Sequence, residues 1–177
     1  MIETERLILR AFRDEDREAF AAINADPRVA DWLGGVRDRA ASDDLVDRIN
    51  ANIARLGYDF WAAERKADGV VVGMIGLRLE LHDPPAPCVE MGWRLAVGAQ
   101  GQGLATEGAR AALDWGFANL DVNEILAWTA DSNVASQAVM RRIGMTPDPS
   151  RDFDHPRLAE DHPLRRHVVF AARRAGA

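Results

Sequence analysis

The chain has 177 residues, 47% hydrophobic and 28% charged, ordinary proportions that argue against disorder and supply enough apolar material for one core. Its formal charge of -6 disfavours nonspecific nucleic-acid binding, which needs clustered Lys and Arg not overbalanced by carboxylates, and favours a cationic acceptor. No apolar run could span a bilayer, no secretory leader is visible and Cys88 is the single cysteine, so a cytoplasmic protein without membrane or nucleic-acid partners is expected.

No repeat or linker divides the sequence, and one domain is expected over residues 1–177. Residues 6–10 read as a first strand. Asp14 can cap a helix running through Phe20 and Ile23 until Pro27. Ser42 can cap a second, in which Leu45, Ile49, Ile53 and Leu56 recur at helical spacing before Gly57 stops it. Residues 60–64 and 70–81 form a hairpin across Lys66-Ala67-Asp68-Gly69, and the Pro-rich stretch 83–87 is a loop. Cys88, which opens the next strand, reads as packing rather than as a nucleophile. That strand alternates Val89, Met91, Trp93, Leu95 and Val97 on one face with Glu90, Gly92 and Arg94 on the other. Leu104, Ala109, Ala112, Leu113 and Gly116 follow the helical period until Asn119. Residues 124–129 give a strand, Asp131 or Ser132 can cap a helix through Ile143 that Gly144 ends, and residues 167–171 give a last strand. Trp61, Trp93, Trp115 and Trp128 read as core. The fold class is α/β (α+β), and the early hairpin makes the sheet mixed rather than doubly wound and parallel.

The segment Gln100-Gly101-Gln102-Gly103-Leu104-Ala105-Thr106-Glu107 joins a strand directly to a helix. Amides at a helix start have no intrahelical partner, and the macrodipole adds about half a positive charge there. Glycines at 101 and 103 remove the Cβ atoms that would keep a pyrophosphate from those amides. A P-loop is ruled out because no Gly-Lys-Ser/Thr follows. The dinucleotide fingerprint fails at Thr106, and the preceding strand is not read as opening a βαβ unit. A Gly-rich turn without ligand remains the competing reading.

Gln100-x-x-Gly103-x-Ala105 resembles the Gln/Arg-x-x-Gly-x-Gly/Ala signature of the GNAT N-acetyltransferases. Glu90-Met91-Gly92-Trp93, Thr106-Glu107, Asp131-Ser132-Asn133-Val134-Ala135-Ser136, Ile143-Gly144-Met145 and the opening Thr4-Glu5-Arg6-Leu7 are similar to the RimJ/RimL-type branch. The resemblance implies a central mixed, mostly antiparallel, twisted sheet flanked by about four helices. Its fourth and fifth strands, around residues 90–97 and 124–129, would splay apart. It implies acetyl-CoA as cosubstrate and no metal. The amides of Gln100, Gly101, Gln102, Gly103, Leu104, Ala105 and Thr106 would hold the pyrophosphate, the backbone of Leu95, Ala96 and Val97 the pantetheine arm, and Asn133 would touch that arm. Trp32 would wall the acceptor site, unless it is core. Arg141 and Arg142 would reach the phosphates or be solvated helix charges. The partner is an amine acceptor, either a protein N-terminus or a small molecule, and a homodimer is the default oligomer.

There are departures. Met140 occupies the position of a Tyr that protonates the departing thiolate in many members, and Ser136 either donates to the sulfur instead or is a surface Ser. A thiol of pKa about 8.5 leaves tolerably as thiolate. An amine must lose a proton to attack, and a backbone N–H can hold the developing oxyanion, so direct attack in a ternary complex is the economical chemistry. Glu90 is the leading base; its other reading is a strand Glu paired with Arg94. Asp131, Glu80 and His155 are the fallback bases, and the tail holding His155, His162 and His167 lies outside the shared signature. Two alternatives to the acetyltransferase stand: a non-catalytic acyl-CoA-binding sensor and a nucleotide-binding oxidoreductase.

Overall fold

The computed structural model describes residues 1–32 and 35–174. Nine strands form one sheet: β1 (Ile2–Glu3), β2 (Leu7–Arg10), β3 (Phe60–Arg65), β4 (Val70–Glu80), β5 (Cys88–Leu95), β6 (Glu124–Ala130), β7 (Thr146–Pro147), β8 (Phe153–Asp154) and β9 (Arg166–Arg173). Their order is β1-β2-β3-β4-β5-β6-β9-β7, with β8 also on β9. Every pairing is antiparallel except that of β5 with β6. The sheet is therefore mixed, as expected. Because α4 connects the two parallel strands, β5 does open a βαβ unit, contrary to the sequence reading; the dinucleotide fingerprint still fails at Thr106.

Five helices flank the sheet: α1 (Arg17–Ala25), α2 (Pro27–Ala30), α3 (Arg39–Leu56), α4 (Leu104–Asn119) and α5 (Val134–Arg142). The extra one, α2, exists because Pro27 starts a helix as readily as it ends one: its missing N–H costs nothing in the first turn, and Asp26 accepts the Arg28 N–H. Three expected caps are displaced. Asp14 opens a 3-10 turn ahead of α1. Asp38, not Ser42, caps α3 by accepting from the Ala41 N–H, leaving Ser42 buried. Asn133, not Asp131 or Ser132, caps α5 by accepting from the Ser136 N–H.

The sheet separates two cores. Phe12, Phe20, Ile23 and Val46 of the N-terminal segment, α1 and α3 pack on Phe60, Ala62 and Met74. On the opposite face Leu104, Ala109 and Leu113 of α4 pack with Trp61, Ile75, Leu77 and Ile125. Between them β5 is paired with β4 along its whole length, whereas β5 meets β6 at one register, Glu90 opposite Leu126. Beyond Glu90 the two strands part, which is the expected splay.

Gly73 fixes this opening from the other side. A bulge on β4 beside Ala63 and Glu64 turns the Val72 carbonyl to the Ala96 N–H at 2.8 Å. Gly73 there has φ +152, and a Cβ on it would stand 2.0 Å from the Arg94 carbonyl oxygen. Backbone cannot yield as a side-chain end can. Gly73→Ala is expected to cost about 3 kcal/mol, lowering the melting temperature by roughly 6–12 °C; a thermal unfolding scan that finds no change would contradict this account of the opening.

Candidate active site

The parting of β5 and β6 leaves a cleft of about 1220 Å³ that runs through the sheet. One end lies under the start of α4. There Gly103 precedes the helix at φ 80 with no side-chain cap, and Gly101 has φ 72. Left-handed backbone at both positions is open to glycine without strain. Among the described residues the amides of residues 101–106 take no backbone or side-chain acceptor outside the helix, and the first bond of α4 is Glu107 N–H to the Gly103 carbonyl at 3.0 Å. Anion-binding donors are thus presented bare at a positive helix end.

Glu107 secures this loop from behind. Its carboxylate accepts from Thr4 Oγ1 at 2.6 Å, the Arg6 N–H at 2.7 Å and Arg6 Nε at 2.6 Å, while Arg6 Nη1 donates to the Gln102 carbonyl at 2.9 Å. The opening Thr4-x-Arg6 and the loop's Glu107, distant in sequence, are one structural unit.

Glu90 sits where the strands divide. Its partner is Arg78 of β4, not Arg94: Arg78 Nη2 donates to Glu90 Oε2 at 2.5 Å and to Glu80 Oε2 at 3.0 Å, and the guanidinium lies over the Phe60 ring. The Glu90 side chain is 13% exposed. Burial pushes its pKa up to about 7, with Glu80 adding to the rise and Arg78 restraining it. It can therefore change protonation near neutral pH.

The fallback bases fare differently. Glu80 Oε1 accepts from the N–H groups of Leu81, His82 and Asp83 at 3.0, 2.9 and 3.2 Å, and these bonds hold its pKa below the usual value despite burial. Asp131 is exposed and off the cleft. His155 lines the cleft, and burial lowers its pKa. Cys88 is off the cleft, and burial with Glu90 and Glu80 nearby pushes its thiol up to about 12, which makes it a poor nucleophile.

Of the remaining predicted site residues, Leu95, Gln100, Gly101, Gly103, Leu104, Ala105 and Thr106 line the cleft, as do Asn133, Ser136 and Trp32. Ala96, Val97 and Gln102 do not. The Ala96 N–H is engaged by Val72, and Gln102 Nε2 donates to the Gly98 carbonyl at 2.6 Å. Arg142 lines the cleft with Arg110, while Arg141 stacks on Phe170. Met140, buried, also reaches it. Trp61 and Trp115 pack edge to face as core. Trp93 and Trp128 instead are half-buried on the cleft wall, because the gap between β5 and β6 exposes faces that a closed sheet would cover.

Sequence reasoning named His155 as a fallback base but missed the rest of the tail's part in this site. His155, Arg157, Leu158, Leu164 and His167 line the cleft, held by His167 stacked on Phe153 and by Arg157 paired with Asp83 of the β4–β5 loop at 2.6 Å. No local motif signals a wall assembled by chain return.

Comparison with known proteins fits this geometry. Residues 6–146 match the acetyltransferase (GNAT) domain family. YkkB of Bacillus subtilis, whose function is uncharacterized, is 31% identical over 143 residues, covering 80% of this chain and 83% of that protein. An acetyltransferase structure from Agrobacterium tumefaciens aligns with a TM-score of 0.78 at 29% identity, covering 98% of this chain and 94% of that one. RimL, a ribosomal α-N-protein acetyltransferase solved with coenzyme A, shares the fold at a TM-score of 0.75 and 18% identity, over 96% and 95% of the chains. A sheet parted at Glu90, a bare helix start beneath it and a family match over most of the length converge: the chain belongs to the GNAT N-acetyltransferases, and its cosubstrate is acetyl-CoA.

Proposed function

We propose that the chain acetylates a primary amine by direct attack on the acetyl-CoA thioester, with Glu90 as the proton acceptor. The observation that carries this reading is the position of Glu90: buried at the point where β5 and β6 part, with a pKa near 7, on the same cleft as the bare amides of α4. Those amides, of Gly101 and of Gly103 to Thr106, hold the diphosphate of the carrier. Asn133 has one side-chain function left after its Oδ1 caps α5, and its NH₂ is available to the pantetheine arm. Ser136 lines the same wall, and Trp32, 44% exposed, borders the acceptor.

Primary amines are mostly protonated at pH 7. A base of matched pKa removes the proton most effectively. The ammonium first releases a proton to solvent; as the neutral nitrogen then bonds to the carbonyl carbon, a further proton passes from it to Glu90 and the carbon–sulfur bond breaks with the electron pair on sulfur. Arg78 is a positioning residue, which fixes the Glu90 carboxylate and keeps its pKa from rising further.

In steady-state assays of thiol release, kcat/KM should rise with pH through about 7 as Glu90 loses its proton. Glu90→Gln is expected to lower the rate about 10²–10⁴-fold at pH 8 and to abolish that inflection. Arg78→Met should move the inflection upward, since a positive charge that favours the carboxylate is removed; an inflection due to the acceptor amine would stay in place. A Glu90→Gln enzyme of unchanged rate and profile would retire the assignment.

The carrier site is tested by melting. Acetyl-CoA at a hundredfold over its Kd should stabilise the unaltered protein by about 2.7 kcal/mol. Gly103→Glu, which forces a non-glycine residue into left-handed backbone at φ +80 just ahead of the amides and sets its Cβ 3.5 Å from Arg6 Nη2, is expected to remove that gain. Retained stabilisation by acetyl-CoA would show that the diphosphate lies elsewhere.

A further inference from the structure

The acceptor half of the cleft carries a charge that the chemistry above does not use. Arg94 stands on the same face of β5 as Glu90, lines the cleft and is 9% exposed. A guanidinium so buried is costly unless a counter-charge and acceptors surround it. Among the described residues Arg94 has no counter-charge and a single acceptor. Its hydrogen bond runs from Nη1 to the neutral Asn24 Oδ1, and its Nε is sealed without an acceptor. Burial first, and then the like charges of Arg37 and Arg78, draw its pKa down to about 10. Arg78, by contrast, has Glu90 and Glu80.

The shortage is local. Among the described residues four buried side-chain polar atoms lack a partner, and three are the Nε atoms of Arg37, Arg78 and Arg94, all on the wall of this cleft. The arrangement is also built. Asn24, 1% exposed, holds Arg94 through Oδ1, donates from Nδ2 to the buried Ser42 Oγ at 2.8 Å and accepts the Arg37 N–H on its carbonyl at 3.0 Å. Asn24 thereby anchors the Arg94 side chain and the Arg37 backbone beside each other. The net charge of -6 suggests a cationic acceptor; the lining of the acceptor end does not.

We propose that Arg94, assisted by Arg37, binds a carboxylate carried by the acceptor, so that the substrates are amino acids, short peptides or similar amino-carboxylates rather than polyamines or aminoglycosides. An arginine presents several N–H donors at fixed angles, which suits a carboxylate. Leu45, Met74 and Phe60 supply apolar wall for the carbon skeleton between the two polar ends. The inference rests on the acetyl-transfer reading and names the substrate class of that same site.

The test measures thiol release from acetyl-CoA with paired acceptors, each amino-carboxylate beside its own carboxamide: glycine, β-alanine, γ-aminobutyrate, glycylglycine and a tripeptide, with spermidine as the cationic control. At least one carboxylate is expected to exceed its carboxamide at least about tenfold in kcat/KM. Arg94→Met should bring that ratio down to about one, and Arg94→Lys should keep part of it, while KM for acetyl-CoA reports that each variant is folded. Should Arg94→Met fail to fold, the ratio in the unaltered protein and in Arg37→Met, expected to be reduced, decides the matter. A ratio near one for every pair, a preference for spermidine, or a ratio that survives Arg94→Met overturns the proposal and leaves acetyl transfer standing. No thiol release with any amine removes both.

Discussion

The separation of β5 from β6 is the constraint on which the rest of the molecule depends. A buried strand edge without partners is unfavourable, because its backbone N–H and C=O groups have lost water and gained nothing. Here β5 keeps its form because β4 pairs with it from Cys88 to Leu95, so its other edge can be left free past Glu90. The bulge at Val72 and the left-handed Gly73 make room for the end of β5 at Leu95 and Ala96. A ligand with amide groups of its own can then supply the missing backbone partners, which is what a pantetheine arm offers.

The same opening explains the electrostatics. Glu90 is drawn to neutral form by burial and held near the midpoint by Arg78, whose guanidinium is itself fixed by the Phe60 ring and Glu80. Glu80 can serve as that anchor because three backbone N–H groups keep it ionised. Two carboxylates beside one arginine, Glu90 directly across from it on β5 and Glu80 two residues along its own strand, thus take different tasks, one a permanent anion and one able to titrate, and the difference comes from backbone donors given to one and withheld from the other. At the other end of the cleft the positive potential arises from bare amides of α4, with Glu107 paired to Arg6 at 2.6 Å.

Much of this was legible in the sequence wherever the signal is local. The α4 period, the 66–69 turn, Gly57 and Gly144 as helix stops, and the alternation that puts Glu90 on one face of β5 are all set within a few neighbours. Where a residue's role depends on distant chain, reading failed. Ser42 looks like a cap, but tertiary packing draws it inward to Asn24. Trp93 and Trp128 look like core because alternation cannot register a missing strand partner. Arg94, four residues from Glu90, looks like its ion-pair partner, yet register places Arg78 opposite instead. The two-residue strands β1, β7 and β8 carry no period at all, and the tail's contribution to the cleft arises only when β9 returns beside β6.

The proton inventory of the cleft gives the proposed chemistry its direction. Among the described cleft residues Glu90 has a pKa near neutrality, and at the position where the sequence resemblance implies an acid there is Met140, 1% exposed. His155 and His167, both with pKa lowered by burial, stand on the tail side. A site of this kind assists deprotonation of the nucleophile more than protonation of the leaving group. That imbalance is tolerable because a thiol of pKa about 8.5 departs as thiolate near neutral pH, whereas the attacking ammonium, a weaker acid, is inert until its proton is removed. The demand for catalysis falls on the amine, and the proposed mechanism meets it with the carboxylate at the apex of the opening.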